Sequence, residues 1–261
     1  MLTITSSSNP KIKLVRALQT QARERKGQAA FVAEGVRLLE DALSAGWPID
    51  YVLFDQTLSE RGQALLNTLE AKSKTEVFEI SPALMAEISD TETPQGILAV
   101  MKSSALPLPT DPSFVIVADQ VRDPGNLGTI LRTAEAAGAD AVLLTPGTVD
   151  ALSPKVVRAG MGAHFHLPIV HLPWHEIHAY LTGLPIFLAE ADQGSLLWDA
   201  DFRQPCALLI GGEAFGASPM GEEAATHRIT IPMVGRAESL NAAVAAGILM
   251  AEVIRQRHPD K

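Results

Sequence analysis

Two rhythms of apolar and polar positions run along this chain. Up to about residue 100 the apolar runs are short and of mixed type. "AEGVRLLEDALSAG" places Val36, Leu39 and Leu43 on one helical face and stops at Gly46, so it predicts a helix. "IDYVLFD", "EVFEI" and "GILAVM" are compact apolar runs that predict strands. Beyond residue 113 the order becomes regular. "SFVIVADQ" predicts a buried strand, and "LGTILRTAEAAG" a helix with Leu127, Ile130, Leu131 and Ala134 on one face and Gly138 as its stop. "AVLLT" predicts a strand, "SPKVVRAGMGA" a helix, and "LPIFLAEA", "CALLIGG" and "HRITIPM" further strands. "SLNAAVAAGILMAEVIRQRH" predicts a long final helix. Strands without polar alternation, separated by helices, imply an α/β fold with a parallel sheet covered on both faces.

Between the two rhythms lies "MKSSALPLPTDPS", whose three prolines make it a poor helix or strand and a good linker. The expected organisation is a smaller α/β domain at 1–101, a linker at 102–113 and a larger α/β domain at 114–261. The final helix is apolar nearly all the way round from Leu240 to Ile254. It is expected to be buried, in its own fold or against a second subunit.

Composition narrows the class. The chain has 261 residues, of which 47% are hydrophobic and 20% charged, as in a globular protein. No export leader is visible at Met1–Leu14, and apolar stretches break well before the ~20 residues of a membrane span, so a cytoplasmic chain is expected. The net charge of −9 argues against a protein that coats nucleic acid. The sign is uneven, however. Lys11, Lys13, Arg16, Arg23, Arg25, Lys26 and Arg37 crowd the first forty residues against Glu24, Glu34 and Glu40. Such an arm either holds phosphates locally or is a solvated helix face. Cys206, the one cysteine, sits in an apolar run and is expected in the core. His164 and His166 alternate in "HFH" without metal-ligand spacing, so they too are expected in a strand or core.

Three loops that follow strands carry the candidate chemistry, because ligands of parallel sheets sit beyond the carboxyl ends of strands. In "DPGNLGTILRTAEAAGA", Asp123–Gly125 form a constrained turn and Asn126 is the expected helix N-cap. Arg132 falls off the apolar stripe of the helix and is expected to share a pocket with Asn126. In "LIGGEAFGAS", Gly211, Gly212 and Gly216 flank the carboxylate of Glu213, and glycines there let a ligand approach the backbone. In "IPMVGRAESLNAAVAAG", Ser239 is the expected N-cap of the last helix. Asn241 then lies in the first turn, where asparagine is a poor helix former without a partner.

A dinucleotide fingerprint, a P-loop and a nucleophile elbow are all missing from the sequence. The segments "VRDPGNLGTILRTAEAAGAD", "LLIGGEAFGAS" and "IPMVGRAESLNAAVAAG", in that order, resemble the three motifs of the SpoU (TrmH-type) RNA 2′-O-ribose methyltransferases of the SPOUT superfamily. The N-terminal "ITSSSNPKIKLVRALQTQARERKGQAAFVAEGVRLLEDAL" resembles the small RNA-binding domain of many members. One departure is Ala242-Ala243, where many members have Val-Ser after the third-motif asparagine.

The resemblance implies an α/β trefoil-knot catalytic domain and a homodimer whose site uses both subunits. It implies S-adenosylmethionine as cofactor, with contacts at Gly211, Gly212, Gly216, Ile231, Met233 and Leu240. Arg132, Asn126, Glu213, Ser239 and Asn241 would form the catalytic shell, and Lys11, Lys13, Arg16 and Arg37 would hold RNA, ribosomal RNA first and transfer RNA second. A guanidinium has donors and no acceptor, so Arg132 is expected to act as a positive clamp rather than a base. An RNA-binding protein of this fold that has lost catalysis, and an unrelated nucleotide-dependent α/β enzyme, remain as alternatives.

Overall fold

The apolar runs become strands whose alternate residues feed two cores. The computed structural model describes residues 2–72, 75–213, 216–258 and 260. It divides into two compact units, Met1–Ser104 with Leu152–Phe165, and Ala105–Ala151 with His166–Lys261. The first unit begins with β1 (Leu2–Ile4), α1 (Pro10–Thr20), α2 (Ala22–Gln28), β2 (Ala30–Glu34) and α3 (Val36–Ser44). It continues through β3 (Ile49–Phe54), α4 (Glu60–Lys72), β4 (Glu76–Ile80), α5 (Pro82–Ile88) and β5 (Ile97–Lys102). The strands order as β1-β4-β3-β5-β2, with β5 antiparallel to β2 and β3 and the other pairs parallel. Period two explains "GILAVM": Ile97, Ala99 and Met101 pack with α3 and α4 on one face, while Leu98 and Val100 pack with α1 and α5 on the other. Asn9 caps α1 by accepting from Lys11 N at 2.9 Å, and α1 buries Ile12, Val15 and Leu18.

The chain continues through β6 (Phe114–Asp119), α6 (Pro124–Ala136), β7 (Ala141–Leu144), α7 (Pro154–Gly160), β8 (Ile169–His171) and α8 (Trp174–Tyr180). Then follow β9 (Ile186–Glu190), β10 (Ser195–Leu196), β11 (Cys206–Gly211), α9 (Pro219–Ala224), β12 (His227–Thr230) and α10 (Ala242–Arg257). Strands β6 to β12 form one sheet ordered β10-β12-β9-β11-β6-β7-β8, parallel at every pair. β6 and β7 are buried throughout, as their unbroken apolar sequences require. Cys206 lies at 0% exposure at the start of β11, and burial pushes its thiol pKa up.

Three features refine the sequence expectations. The segment Leu152–Phe165, within the 114–261 stretch read from the sequence, packs with the first unit. Val157 and Phe165 join the core around Phe31 and Leu39, and Phe165 packs against Trp47 with ring centroids 5.3 Å apart. In the "HFH" segment His164 lies in the core as expected, buried beside the Phe31 ring in a short 3-10 turn rather than a strand, whereas His166 is exposed. Within one chain α10 is buried on one face only, through Ala243, Ala246, Leu249, Met250 and Val253. Val244 is 52% exposed, and Ala251 is exposed as well. Among the described residues no helix is long and apolar enough to cross a membrane, and no group of three or more His, Cys, Asp or Glu is placed to hold a metal.

Candidate active site

The first loop leaves β6 at Asp119 and enters α6. Asp123, not Asn126, is the N-cap: its carboxylate accepts from Asn126 N at 2.8 Å, and Pro124 occupies the first helical position. Sequence reasoning erred by one turn start, because Asp and Asn cap about equally well. The consequence is chemical. Asn126 has its backbone N–H satisfied and sits inside the first turn with its side chain free for other work.

The second loop leaves β11 at Gly211-Gly212. A Cβ on Gly211 would lie 2.4 Å from Ala217 N, and one on Gly212 would lie 2.5 Å from Gln120 O. Both positions therefore need glycine for close backbone approach. Gly212 and Gly216 pair across the loop, with Gly212 N donating to Gly216 O at 2.9 Å and Gly216 N to Gly212 O at 3.1 Å. Ala214 and Phe215 lie outside the described residues. Glu213 points back to the first loop.

The third loop follows β12 and ends at α10. Here Asn241, not Ser239, is the N-cap, accepting from Ala243 N at 2.9 Å and Val244 N at 3.2 Å. Since its Oδ1 is committed to those two donors, its Nδ2 must point away, and it donates to Asn126 Oδ1 at 2.9 Å. Asn126 Nδ2 in turn donates to Glu213 Oε1 at 2.7 Å. Glu213 Oε2 accepts more weakly from Arg122 N at 3.4 Å. One directed chain, from helix cap through two amides to a carboxylate, thus ties all three loops together.

A cavity of about 360 Å³ opens beside this chain. The backbones of Gly211, Gly212 and Gly216 and the side chains of Ile231, Met233 and Leu240 line it, as do Glu213, Ser239 and Asn241. Its apolar walls, the exposed backbone and the carboxylate of Glu213 suit a flat adenosyl group with a positive charge near one end. β9 adds Glu190, which sequence reasoning missed; its Oε1 lies 2.5 Å from Arg228 Nη1.

Asp119 was missed as well. It is fully buried, its Oδ1 accepts from Thr145 Oγ1 at 2.7 Å and its Oδ2 from Ser218 N at 2.6 Å. It thereby locks the ends of β6, β7 and the second loop. The available signal was a carboxylate closing an otherwise apolar strand, "FVIVAD".

The structure does not bring Arg132 into this cavity. It follows Asn126 by six residues, which on an α-helix is about 9 Å along the axis and about 120° around it. Arg132 is exposed and has no hydrogen bond or ion pair among the described residues. The expected RNA-holding set is also dispersed. Lys11 Nζ lies 2.8 Å from Glu76 Oε2 and over the Tyr51 and Phe78 rings, and Arg16 pairs with Glu87. Lys13 is exposed on α1, and Arg37 is exposed on α3.

Comparison with known proteins gives this geometry a family. Residues 113–251 match the SpoU rRNA Methylase family, and residues 9–99 match the MRM3-like substrate binding domain. A 23S rRNA (guanosine(2553)-2′-O)-methyltransferase of Bacillus subtilis is 35% identical over 253 residues, covering 96% of this chain and 98% of its own length. A 23S rRNA (uridine(2479)-2′-O)-methyltransferase of Streptomyces viridochromogenes is 34% identical, covering 97% of this chain and 92% of its own. An AdoMet-bound rRNA methyltransferase from Sinorhizobium meliloti superposes with a TM-score of 0.86 at 31% identity, covering 97% of both chains. The larger unit therefore has the SPOUT-type α/β trefoil-knot fold, and the smaller one is its substrate-binding companion. Two loops that line one slot, joined to a third through Asn126, in a chain matched along nearly its whole length, make this protein a member of the SpoU rRNA methylase family.

Proposed function

We propose that this chain, acting as a homodimer, transfers a methyl group from S-adenosylmethionine to a ribose 2′-hydroxyl of ribosomal RNA. The observation that carries the reading is the Asn241–Asn126–Glu213 chain beside the slot of the second and third loops. The cofactor supplies an electrophilic methyl carbon on a sulfonium. In-line displacement then needs that carbon and the acceptor oxygen held about 3–3.5 Å apart. Gly211, Gly212, Ile231 and Leu240 hold the adenosyl part, and Glu213 places negative charge in the same slot. Asn126, fixed from both sides, and Ser239 present polar atoms to the ribose. Arg132 stabilises the oxygen as its proton passes to solvent water, and Arg37 with Lys13 contributes to RNA attachment.

The dimer part of this reading is supported by two surfaces of the larger unit. Val244, Ile248 and Ala251, spaced i, i+4, i+7, leave an apolar stripe at least partly open on α10. Arg132 on the adjacent α6 has no partner within its own chain among the described residues. A second copy seated on α6 and α10 covers the stripe and gives Arg132 a site to serve.

Incubation with methyl-labelled S-adenosylmethionine and undermethylated ribosomal RNA tests the chemistry. Label is expected in alkali-resistant dinucleotides, the signature of a blocked 2′-oxygen, and light scattering is expected to report twice the chain mass. Label confined to bases, or no transfer despite measurable cofactor binding, would overturn the assigned reaction. A monomeric mass at working concentration would overturn the shared site.

A further inference from the structure

A second recess lies wholly within the smaller unit. Its volume is about 590 Å³, against about 360 Å³ for the slot of the second and third loops. Three segments far apart in sequence each send an arginine to it: Arg37 from α3, Arg61 from α4 and Arg158 from α7. Arg158 is there because Leu152–Phe165 is part of this unit. Thr91, Thr93 and Gln95 supply polar edges, and Met161, 47% exposed, supplies an apolar one.

Hydrogen bonding commits some of these groups and leaves others open to a ligand. Glu34, an acid in the lining, is already committed: its carboxylate accepts from Thr91 Oγ1 at 2.8 Å, from Asp90 N at 3.1 Å and from Ser89 Oγ. Gln95 Oε1 accepts from Val36 N at 3.1 Å, which turns its Nε2 outward with no partner among the described residues. Arg37 has no hydrogen bond or ion pair among the described residues. Arg61 holds Glu40 at 2.7 and 2.5 Å, and Arg158 holds Asp90 at 2.6 Å. Both of those pairs are well exposed, with side-chain exposures from 31% to 57%. Exposed ion pairs add little stability, so a phosphodiester can share or displace the acid at little loss. Guanidinium forks match phosphate oxygens, and a recess with outward amide and hydroxyl groups suits the edge of an unpaired base.

We propose that this recess binds a single-stranded segment of the RNA substrate, with phosphates on Arg37, Arg61 and Arg158 and a base edge against Thr93 and Gln95. The assignment rests on the reading of the chain as an RNA methyltransferase and says where the smaller unit holds its substrate. It moves the main contact away from the basic arm of α1, where Lys11 and Arg16 are paired with Glu76 and Glu87.

Arg37→Glu tests it, because a residue so exposed, whose charge otherwise meets only that of Glu40 among the described residues, can change without disturbing the core. The KM for RNA is expected to rise at least about fivefold, and the slope of log affinity against log salt to fall by about one. Cofactor affinity, read by calorimetry, is expected to stay unchanged. Lys13→Glu makes the same charge change on α1 and is expected to shift the KM less. Single-stranded oligonucleotides are expected to compete for binding better than a duplex of the same sequence. An equal or larger effect of Lys13→Glu, an unchanged KM in Arg37→Glu, or duplex competing as well as single strand overturns the assignment while leaving the methyltransferase reading intact. A wild-type chain that neither binds nor methylates RNA overturns both.

Discussion

Replacing Arg132 with alanine is expected to cut methyl transfer by roughly 10²–10³-fold or more while leaving S-adenosylmethionine affinity within a few-fold. The two halves of this expectation come from separate facts. Arg132 does not line the slot where the cofactor would sit, so the slot loses nothing when the side chain goes. A guanidinium beside a developing oxyanion acts only as charge develops, so its loss falls on turnover rather than on ground-state binding. The obvious confounder is folding, and the local structure limits it. Arg132 is exposed on α6, whereas Leu127, Ile130, Leu131 and Ala134 do the packing. Arg132→Lys discriminates further. It keeps the positive charge and loses the planar fork, so it should recover part of the rate if charge alone is used and little of it if two donors are used together. Single-turnover rates with calorimetric cofactor Kd values measure both halves. A near-normal rate in Arg132→Ala would sink the assigned role. A normal rate with halved dimer content would recast Arg132 as an interface residue.

The position of Arg132 also shows where sequence reasoning stops. Its absence from the apolar stripe was legible, because packing residues repeat with the helix period. Which neighbour it serves was not, because that depends on surfaces a single chain leaves open. The capping residues show a finer limit. Asp123 and Asn126 are equally good caps, as are Ser239 and Asn241, so composition could not choose between positions two or three apart. That choice decides the chemistry, since a capping asparagine spends its oxygen on the helix and a non-capping one keeps both ends. Asn126 keeps both and becomes the middle of the chain, while Asn241 caps with its oxygen and donates with its amide. The strands beneath the loops were plain from their apolar runs. The short strands β1, β8 and β10 were not, since two or three residues carry no period. The basic arm misled for another reason. The acids that pair with Lys11 and Arg16 are Glu76 and Glu87, more than sixty residues away, and local charge counting cannot see them.

Asp119 carries the second large effect, and it separates a structural from a chemical role by comparing two substitutions. Asp119→Ala leaves two buried donors without acceptors, Ser218 N–H and the Thr145 hydroxyl. Each such orphan costs about 1–3 kcal/mol, so a loss of roughly 3 kcal/mol in folding stability is expected. The damage is placed where it matters. Asp119 is paired in register with Gly211, and the first turn of α9 lies so close that a Cβ on Gly221 would be 2.5 Å from Asp119 Oδ2. If about 1.4 kcal/mol of the loss falls on the second loop, cofactor Kd rises about tenfold. Asp119→Asn should be milder. Its oxygen can keep Ser218 N–H while its amide donates to Thr145 Oγ1, which already accepts from Gln120 N at 3.1 Å and has a second lone pair to offer. The hydroxyl hydrogen and the second amide hydrogen are then stranded, but Ser218 N, Thr145 Oγ1 and the amide nitrogen each keep a hydrogen bond, so about half of the alanine effect is expected, on the order of 1.5 kcal/mol. Urea denaturation gives the stability order and calorimetry the cofactor affinities. If alanine and asparagine lose the same stability, the hydrogen bonds are not what Asp119 contributes. If alanine destabilises the fold with cofactor affinity untouched, the carboxylate steadies the sheet without shaping the slot, and its place beside Gly211 has no bearing on catalysis.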